Sequence, residues 1–101
     1  MTHSPLIDSH RSTKLDRVNT PFHRIAFGDR LRELRRAAGW CSQEAFAHHV
    51  GLDRTYVSGL ERGRRNPTLD VIVKLADALG VHPSELLTTI TTTGDSPSVE
   101  R

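Results

Sequence analysis

The sequence predicts an all-α fold of five helices. Three observations carry that expectation. Between about Ile25 and Leu87 the apolar residues recur at spacings of three and four, the period of a helix face. Residues suited to starting helices (Ser42, Asp53, Thr68) and to ending them (Gly39, Gly51, Gly63, Gly80) divide this stretch into segments of helical length. No run shows the alternation of a strand. The flanks, residues 1–22 and 88–101, lack either period and read as a flexible arm and a flexible tail around a domain at 23–87.

With 101 residues there is room for one domain, and a domain of this size buries only about 60 to 65% of its unfolded surface, so self-association is plausible on stability grounds. The net charge of +2 is unevenly spread. Residues 1–66 carry 12 Lys/Arg against 7 Asp/Glu, and residues 67–101 carry 2 against 5. A basic stretch concentrated around one segment suits a polyanion, although scattered basic residues often form only a solvated face. The single cysteine, Cys41, excludes an intrachain disulfide and a cysteine-rich zinc site. Neither an apolar leader nor a membrane-length apolar run is present, so a cytoplasmic protein without a membrane partner is expected.

The arm comes first. Arg11, Lys14 and Arg17 either brush a phosphate backbone or belong to an inert tail. From about Ile25 to Ala38, Phe27, Leu31, Leu34 and Ala38 form one stripe, which Gly39 ends. Arg35 falls inside that stripe, where a charge is costly unless it is paired. Either Glu61 meets it, clamping the first helix to the third, or its guanidinium snorkels to solvent.

Ser42 is placed to cap a second helix, with Gln43 and Glu44 in its first turn and Phe46, Ala47 and Val50 on its buried face. Gly51 turns the chain. A third helix then starts at Asp53 and closes at Gly63, about two and a half turns later. Its Val57 and Leu60 face inward, whereas Thr55, Ser58, Gly59 and Arg62 face outward. Helix, short glycine-containing turn, helix is the arrangement of a helix-turn-helix unit. The outer face of the third helix is small apart from Arg62, and Arg54, Arg62, Arg64 and Arg65 surround it.

Asn66-Pro67 stops that helix from continuing, and Thr68 caps a fourth with a stripe of Leu69, Ile72, Val73, Ala76 and Leu79, ended by Gly80. Residues 81–87, with Pro83 in the first turn, read as a short fifth helix. Beyond Thr88 only Ile90 suggests any packing.

The arrangement Arg30-Leu31-Arg32-Glu33-Leu34-Arg35, Gly39-Trp40, Ser42-Gln43-Glu44, Gly51-Leu52-Asp53, Glu61-Arg62-Gly63, Asn66-Pro67-Thr68-Leu69 and Leu79-Gly80-Val81 resembles the phage-repressor-type (Xre/Cro) helix-turn-helix family. Asp53 to Gly63 with Arg65 to Leu69 resembles its restriction-modification controller proteins, small dimeric regulators without an effector domain. The resemblance implies that the third helix enters the major groove with Arg54, Thr55 and Tyr56 as base readers. It implies that Gln43 contacts a phosphate, that Arg65 approaches the backbone or minor groove, and that an arginine of the first helix pairs with Glu61. One departure stands out: Cys41 is interposed between the Gly-aromatic pair and Ser-Gln, a one-residue insertion that bears on where Ser42 and Gln43 sit.

The chemistry is consistent with that implication. Arg54, near the start of its helix, can offer two donors to guanine N7 and O6, worth about 1–3 kcal/mol of discrimination. Thr55 offers a hydroxyl and a methyl. Tyr56 either contacts DNA or packs over the helix end, and Ser58 is either a contact or an idle surface serine. Arg62, Arg64, Arg65 and Asn66 suit phosphates, where they add affinity and salt dependence but little sequence information. Adjacent His48 and His49 point about 100° apart and lack the spacing of a metal pair. No phosphate loop, nucleophile elbow or triad context marks an enzyme, so neither metal nor cofactor is expected. Cys41 is either a redox sensor or a buried or half-buried small residue beside Trp40.

Two function classes follow. The favoured one is a sequence-specific DNA-binding transcriptional regulator acting as a homodimer on a palindromic operator, with Val73, Leu86, Leu87 and Ile90 in the dimer surface. The other is an antitoxin-like interaction module whose DNA binding is secondary. Expected partners are double-stranded DNA, a second copy of the chain, and a protein such as a toxin or RNA polymerase.

Overall fold

The computed structural model describes residues 20–91. They form four α-helices, α1 (Phe22–Ala37), α2 (Gln43–Val50), α3 (Arg54–Glu61) and α4 (Leu69–Leu79), followed by a 3-10 helix, Pro83–Leu87. Among the described residues there is no strand. No helix there is long and apolar enough to cross a membrane.

The architecture is therefore all-α, but the expected fifth α-helix is a 3-10 helix. At five residues it is short enough for the tighter winding. In addition, the Glu85 carbonyl, which an α-helix would use internally, accepts from Nε of Arg30 at 2.8 Å. A second Arg30 nitrogen meets the Glu85 carboxylate at 2.7 Å. Arg30 thus binds α1 to the end of the fold, an attachment the sequence did not announce.

Helix α1 begins at Phe22, earlier than the apolar stripe suggested. Pro21 stands at the N-cap, where its missing N–H costs nothing, and its carbonyl accepts from the Arg24 N–H at 3.0 Å. The first turn escapes the stripe because Phe22 is exposed. Of the expected arm over 1–22, only residues 20–22 lie within the described residues; Arg11, Lys14 and Arg17 lie outside them. Of the tail over 88–101, residues 88–91 are described. They still touch the domain: the Thr89 hydroxyl donates to the Ala26 carbonyl at 3.2 Å, and Ile90 packs against the core.

Two caps form as the residue types dictate. The Ser42 and Thr68 hydroxyls each accept, at 3.1 Å, from the backbone N–H three residues on, an arrangement worth about 1 kcal/mol each. Asp53 sits at the N-cap of α3 but makes no side-chain capping bond. Its carboxylate instead accepts from the Thr55 hydroxyl at 3.4 Å.

The core joins Phe27 and Leu31 of α1, Phe46, Ala47 and Val50 of α2, Val57 and Leu60 of α3, Leu75, Ala76 and Leu79 of α4, and Leu86. In α4 the buried face is turned from the expected stripe. Leu75 is fully buried, while Leu69 is 72% and Val73 48% exposed. Asp70, Lys74 and Asp77 share one side of that helix and Ile72, Leu75, Ala76 and Leu79 the opposite one, so the helical period itself favours Leu75 over Leu69 and Val73, and the packing against α2 and the 3-10 helix follows it. Leu86, expected at a dimer surface, is completely buried within the single chain, because the 3-10 helix turns it under α1 and α4.

Candidate nucleic-acid interface

Helix α3 is positioned from beneath by a buried ionic knot. Nε of Arg35 donates to one Glu61 oxygen at 2.7 Å and its second terminal nitrogen to the other at 3.1 Å. The side chains are 3% and 0% exposed. The expected clamp is present, and Arg35 does not snorkel. Its remaining nitrogen donates to the carbonyls of Trp40 at 2.7 Å and Cys41 at 3.0 Å. Every guanidinium nitrogen is thereby used, which is what a buried arginine needs.

Burial pushes the Glu61 carboxyl up, but the hydrogen bonds from Arg35 and Gln43 and the charges of Arg35 and Arg32 together outweigh it and hold the group below its ordinary value. It is a carboxylate at neutral pH. The α1–α3 crossing needs Gly28 as well. A Cβ there would collide with the Leu60 carbonyl and lie 2.5 Å from that of Glu61. A glycine inside a helix was the available signal in the sequence, and it was missed.

The inserted Cys41 does not disrupt the second helix. Its side chain is exposed, not buried or half-buried beside Trp40 as expected, because it is the carbonyl that turns inward to Arg35, and Ser42 still caps α2. Gln43 starts that helix, but its amide nitrogen donates to Glu61 at 2.8 Å. Its side chain therefore serves the knot, and a phosphate contact would have to share it. Trp40 stacks on His49 with centroids 4.6 Å apart, which places one histidine of the His48-His49 pair in a ring contact.

Above the knot, Val57 and Leu60 point into the core with no exposure. Arg54 and Thr55 are exposed, and Ser58 is half-buried. Tyr56 is also half-buried and packs against the core, while the Arg65 guanidinium lies 5.7 Å from its ring centroid. Both readings of Tyr56, packing and display, are thus compatible with its place at the edge of the outer face. Arg62, Arg64, Arg65 and Asn66 are exposed on the exit from α3. Gly63 closes that exit at φ 78°. Among the described residues, Arg54, Arg62 and Arg64 make no ion pair.

Arg54 also borders a polar cleft shared with Arg32, Arg36 and Gln43, where the end of α1 meets the start of α2. Arg32 approaches Glu61 at 3.5 Å. Arg32 and Arg36, one helical turn apart, extend the cationic surface onto α1; only their spacing on the polar side of that helix could have revealed them.

A family model described as a helix-turn-helix domain matches residues 26–88. The chain belongs to the helix-turn-helix domain family. Its relatives include the control protein C.BamHI of Bacillus amyloliquefaciens, 47% identical over 64 residues that cover 63% of this chain and 79% of the relative. The crystal structure of the restriction-modification controller protein C.AhdI from Aeromonas hydrophila is 58% identical and superposes with a TM-score of 0.58 over 61% of this chain and 92% of that one. The hypothetical transcription factor NHTF from Neisseria is 48% identical, with a TM-score of 0.61 over 64% and 74% of the two chains. The matched segment of the helix-turn-helix domain contains all of α2, α3 and α4 and both partners of the ionic knot.

Proposed function

We propose that the protein is a sequence-specific DNA-binding transcriptional regulator of the restriction-modification controller type, acting as a homodimer on a palindromic operator. The observation that carries this reading is the construction of α3: a helix held rigidly from below by Arg35–Glu61, with a small outer face edged by unpaired arginines. A rigid helix with little steric bulk can approach base edges in a major groove, and pre-organisation lowers the cost of binding. In this reading Arg54, Thr55, Tyr56 and Ser58 read bases. Arg62, Arg64, Arg65 and Asn66 hold phosphates, and the α2 start at Gln43 approaches the backbone. Relatives named as control proteins support the regulatory role.

The dimer surface of this reading is amended by the packing. With Leu86 in the core, Val73 and Leu87 remain exposed for it, Leu69 on α4 is exposed as well, and Ile90 is half-covered. Selection of bound duplexes from a random-sequence pool tests the proposal. Two inverted half-sites about one helical turn apart should emerge. Recovery of no common sequence would overturn it.

A further inference from the structure

We propose that Gly59 is a positioning residue for DNA recognition, and that its missing side chain lets Arg65 and Tyr56 act as one preassembled unit on the outer face of α3. The inference rests on the DNA-binding reading above and adds what organises that face. A Cβ built on Gly59 would lie 2.8 Å from Cγ of Arg65, with Nε at 3.5 Å and Cδ at 3.7 Å. The Arg65 stem therefore lies directly across the glycine, and its guanidinium carries on to the Tyr56 ring, 5.7 Å from the centroid. The backbone is tied to the same point, since the Arg64 N–H donates to the Gly59 carbonyl at 2.8 Å.

This separates Arg65 from its neighbours. Arg62 and Arg64 are exposed and free of ion pairs among the described residues, so each would give up rotamer freedom on reaching a phosphate. Arg65 is already directed onto the outer face beside Tyr56. Cγ stands two bonds from Cα, so relieving a clash there means rotating χ1 and redirecting the whole side chain away from the ring. A glycine inside a helix destabilises it relative to alanine, and Gly59 spends that stability on the course of Arg65. The simpler alternative is that Gly59 gives clearance to the DNA itself.

A double-variant cycle decides between them. Wild type, Gly59→Ala, Arg65→Ala and the double variant are titrated with a duplex that the wild type selects from a random pool. Gly59→Ala should weaken binding about three- to tenfold, the scale of a lost cation–π contact and the freedom it restrained, and should add little further loss once Arg65 is alanine. Its melting temperature should equal or exceed that of the wild type. An equal Gly59→Ala loss in both backgrounds would assign the glycine to DNA clearance and overturn the inference, as would unchanged affinity.

A second readout needs no DNA. Tyr56 is the only tyrosine in the chain, so its ring proton resonances are readily identified. Gly59→Ala and Arg65→Ala should shift them in the same direction, and Arg65→Lys, which keeps the charge but not the guanidinium that lies 5.7 Å from the ring centroid, should shift them likewise. Absence of a shift in all three would contradict the unit. Failure of the wild type to select any sequence would instead count against the DNA-binding reading itself.

Discussion

The Glu61 carboxylate and the Arg35 guanidinium, 26 residues apart in sequence, meet through two hydrogen bonds of 2.7 and 3.1 Å with neither side chain more than 3% exposed. The pair fastens the last residue of α3 to the last turn of α1, and Gln43 adds α2 to the same carboxylate. Three helices are thus held at one point directly beneath the candidate reading surface.

Removing one member leaves a buried charge without its partner. Glu61→Ala should lose about 3–5 kcal/mol of stability, whereas replacing both partners with apolar residues, as in Arg35→Met with Glu61→Leu, should recover a large part of it. Recovery should be incomplete because the Trp40 and Cys41 carbonyls lose their donor. Denaturant unfolding of the three proteins checks this; a single-variant cost below about 1 kcal/mol would contradict a buried ion pair.

The same pair sets an acid limit. Glu61 titrates lower in the folded chain than in the unfolded one, so the unfolded chain takes up this proton first as pH falls. The contribution is complete above the ordinary value of 4.5 and is lost as pH drops from there through the folded value. Unfolding midpoints measured from pH 7 to 3 should be nearly flat for this group until about 5 and then decline. Glu61→Gln, which cannot ionise, should show a shallower decline.

Two helix-interior glycines should respond oppositely to alanine. At Gly28 the added Cβ meets backbone carbonyls of Leu60 and Glu61 that cannot move without parting α1 from α3, so Gly28→Ala should destabilise by about 1–3 kcal/mol or more. At Gly59 the obstacle is a surface side chain, so folding should be retained. Thermal melts of the two variants give the comparison directly.

On DNA, Arg54→Ala should relax base preference, costing about 1–3 kcal/mol of discrimination. Arg64→Ala should weaken all duplexes alike and lower the slope of log K against log salt by about 0.9. Titrations of a selected and a scrambled duplex at several salt concentrations separate the two behaviours. Indistinguishable variants would refute the division between readers and anchors.

For self-association, Val73→Asp at an exposed position should shift the protein toward monomer in sedimentation without unfolding it. Leu86→Ala should instead unfold it more easily, by about 2–5 kcal/mol, since that side chain fills the core.

Much of this was legible in the sequence because the governing physics is local. Ser42 and Thr68 carry their caps in their hydroxyls, and Arg35 inside an apolar stripe pointed either to Glu61 or to a snorkelling course, between which the fold chose Glu61. Placing Val57 and Leu60 inward needed only the helical period. In α4 the polar side formed by Asp70, Lys74 and Asp77 already favoured Leu75 over Leu69 and Val73 as the buried residue, and the expected stripe overlooked it. The rest of what escaped depended on packing between distant segments. Leu86 looked free for a partner until the 3-10 helix buried it. Gly28 and Gly59 are alike as residues, and only the neighbours brought by folding, two carbonyls in one case and Arg65 in the other, give them different tasks.

Whether α3 reads base edges is decided by a mobility-shift titration of the wild-type protein. The probes are the duplex upstream of its own coding sequence and a scrambled duplex of equal length, each at low and near-physiological salt. Binding to both should weaken as salt rises, with a preference for the natural duplex of about 10³ or more persisting at near-physiological salt. Equal binding to the two duplexes, vanishing together with salt, would contradict base reading by α3.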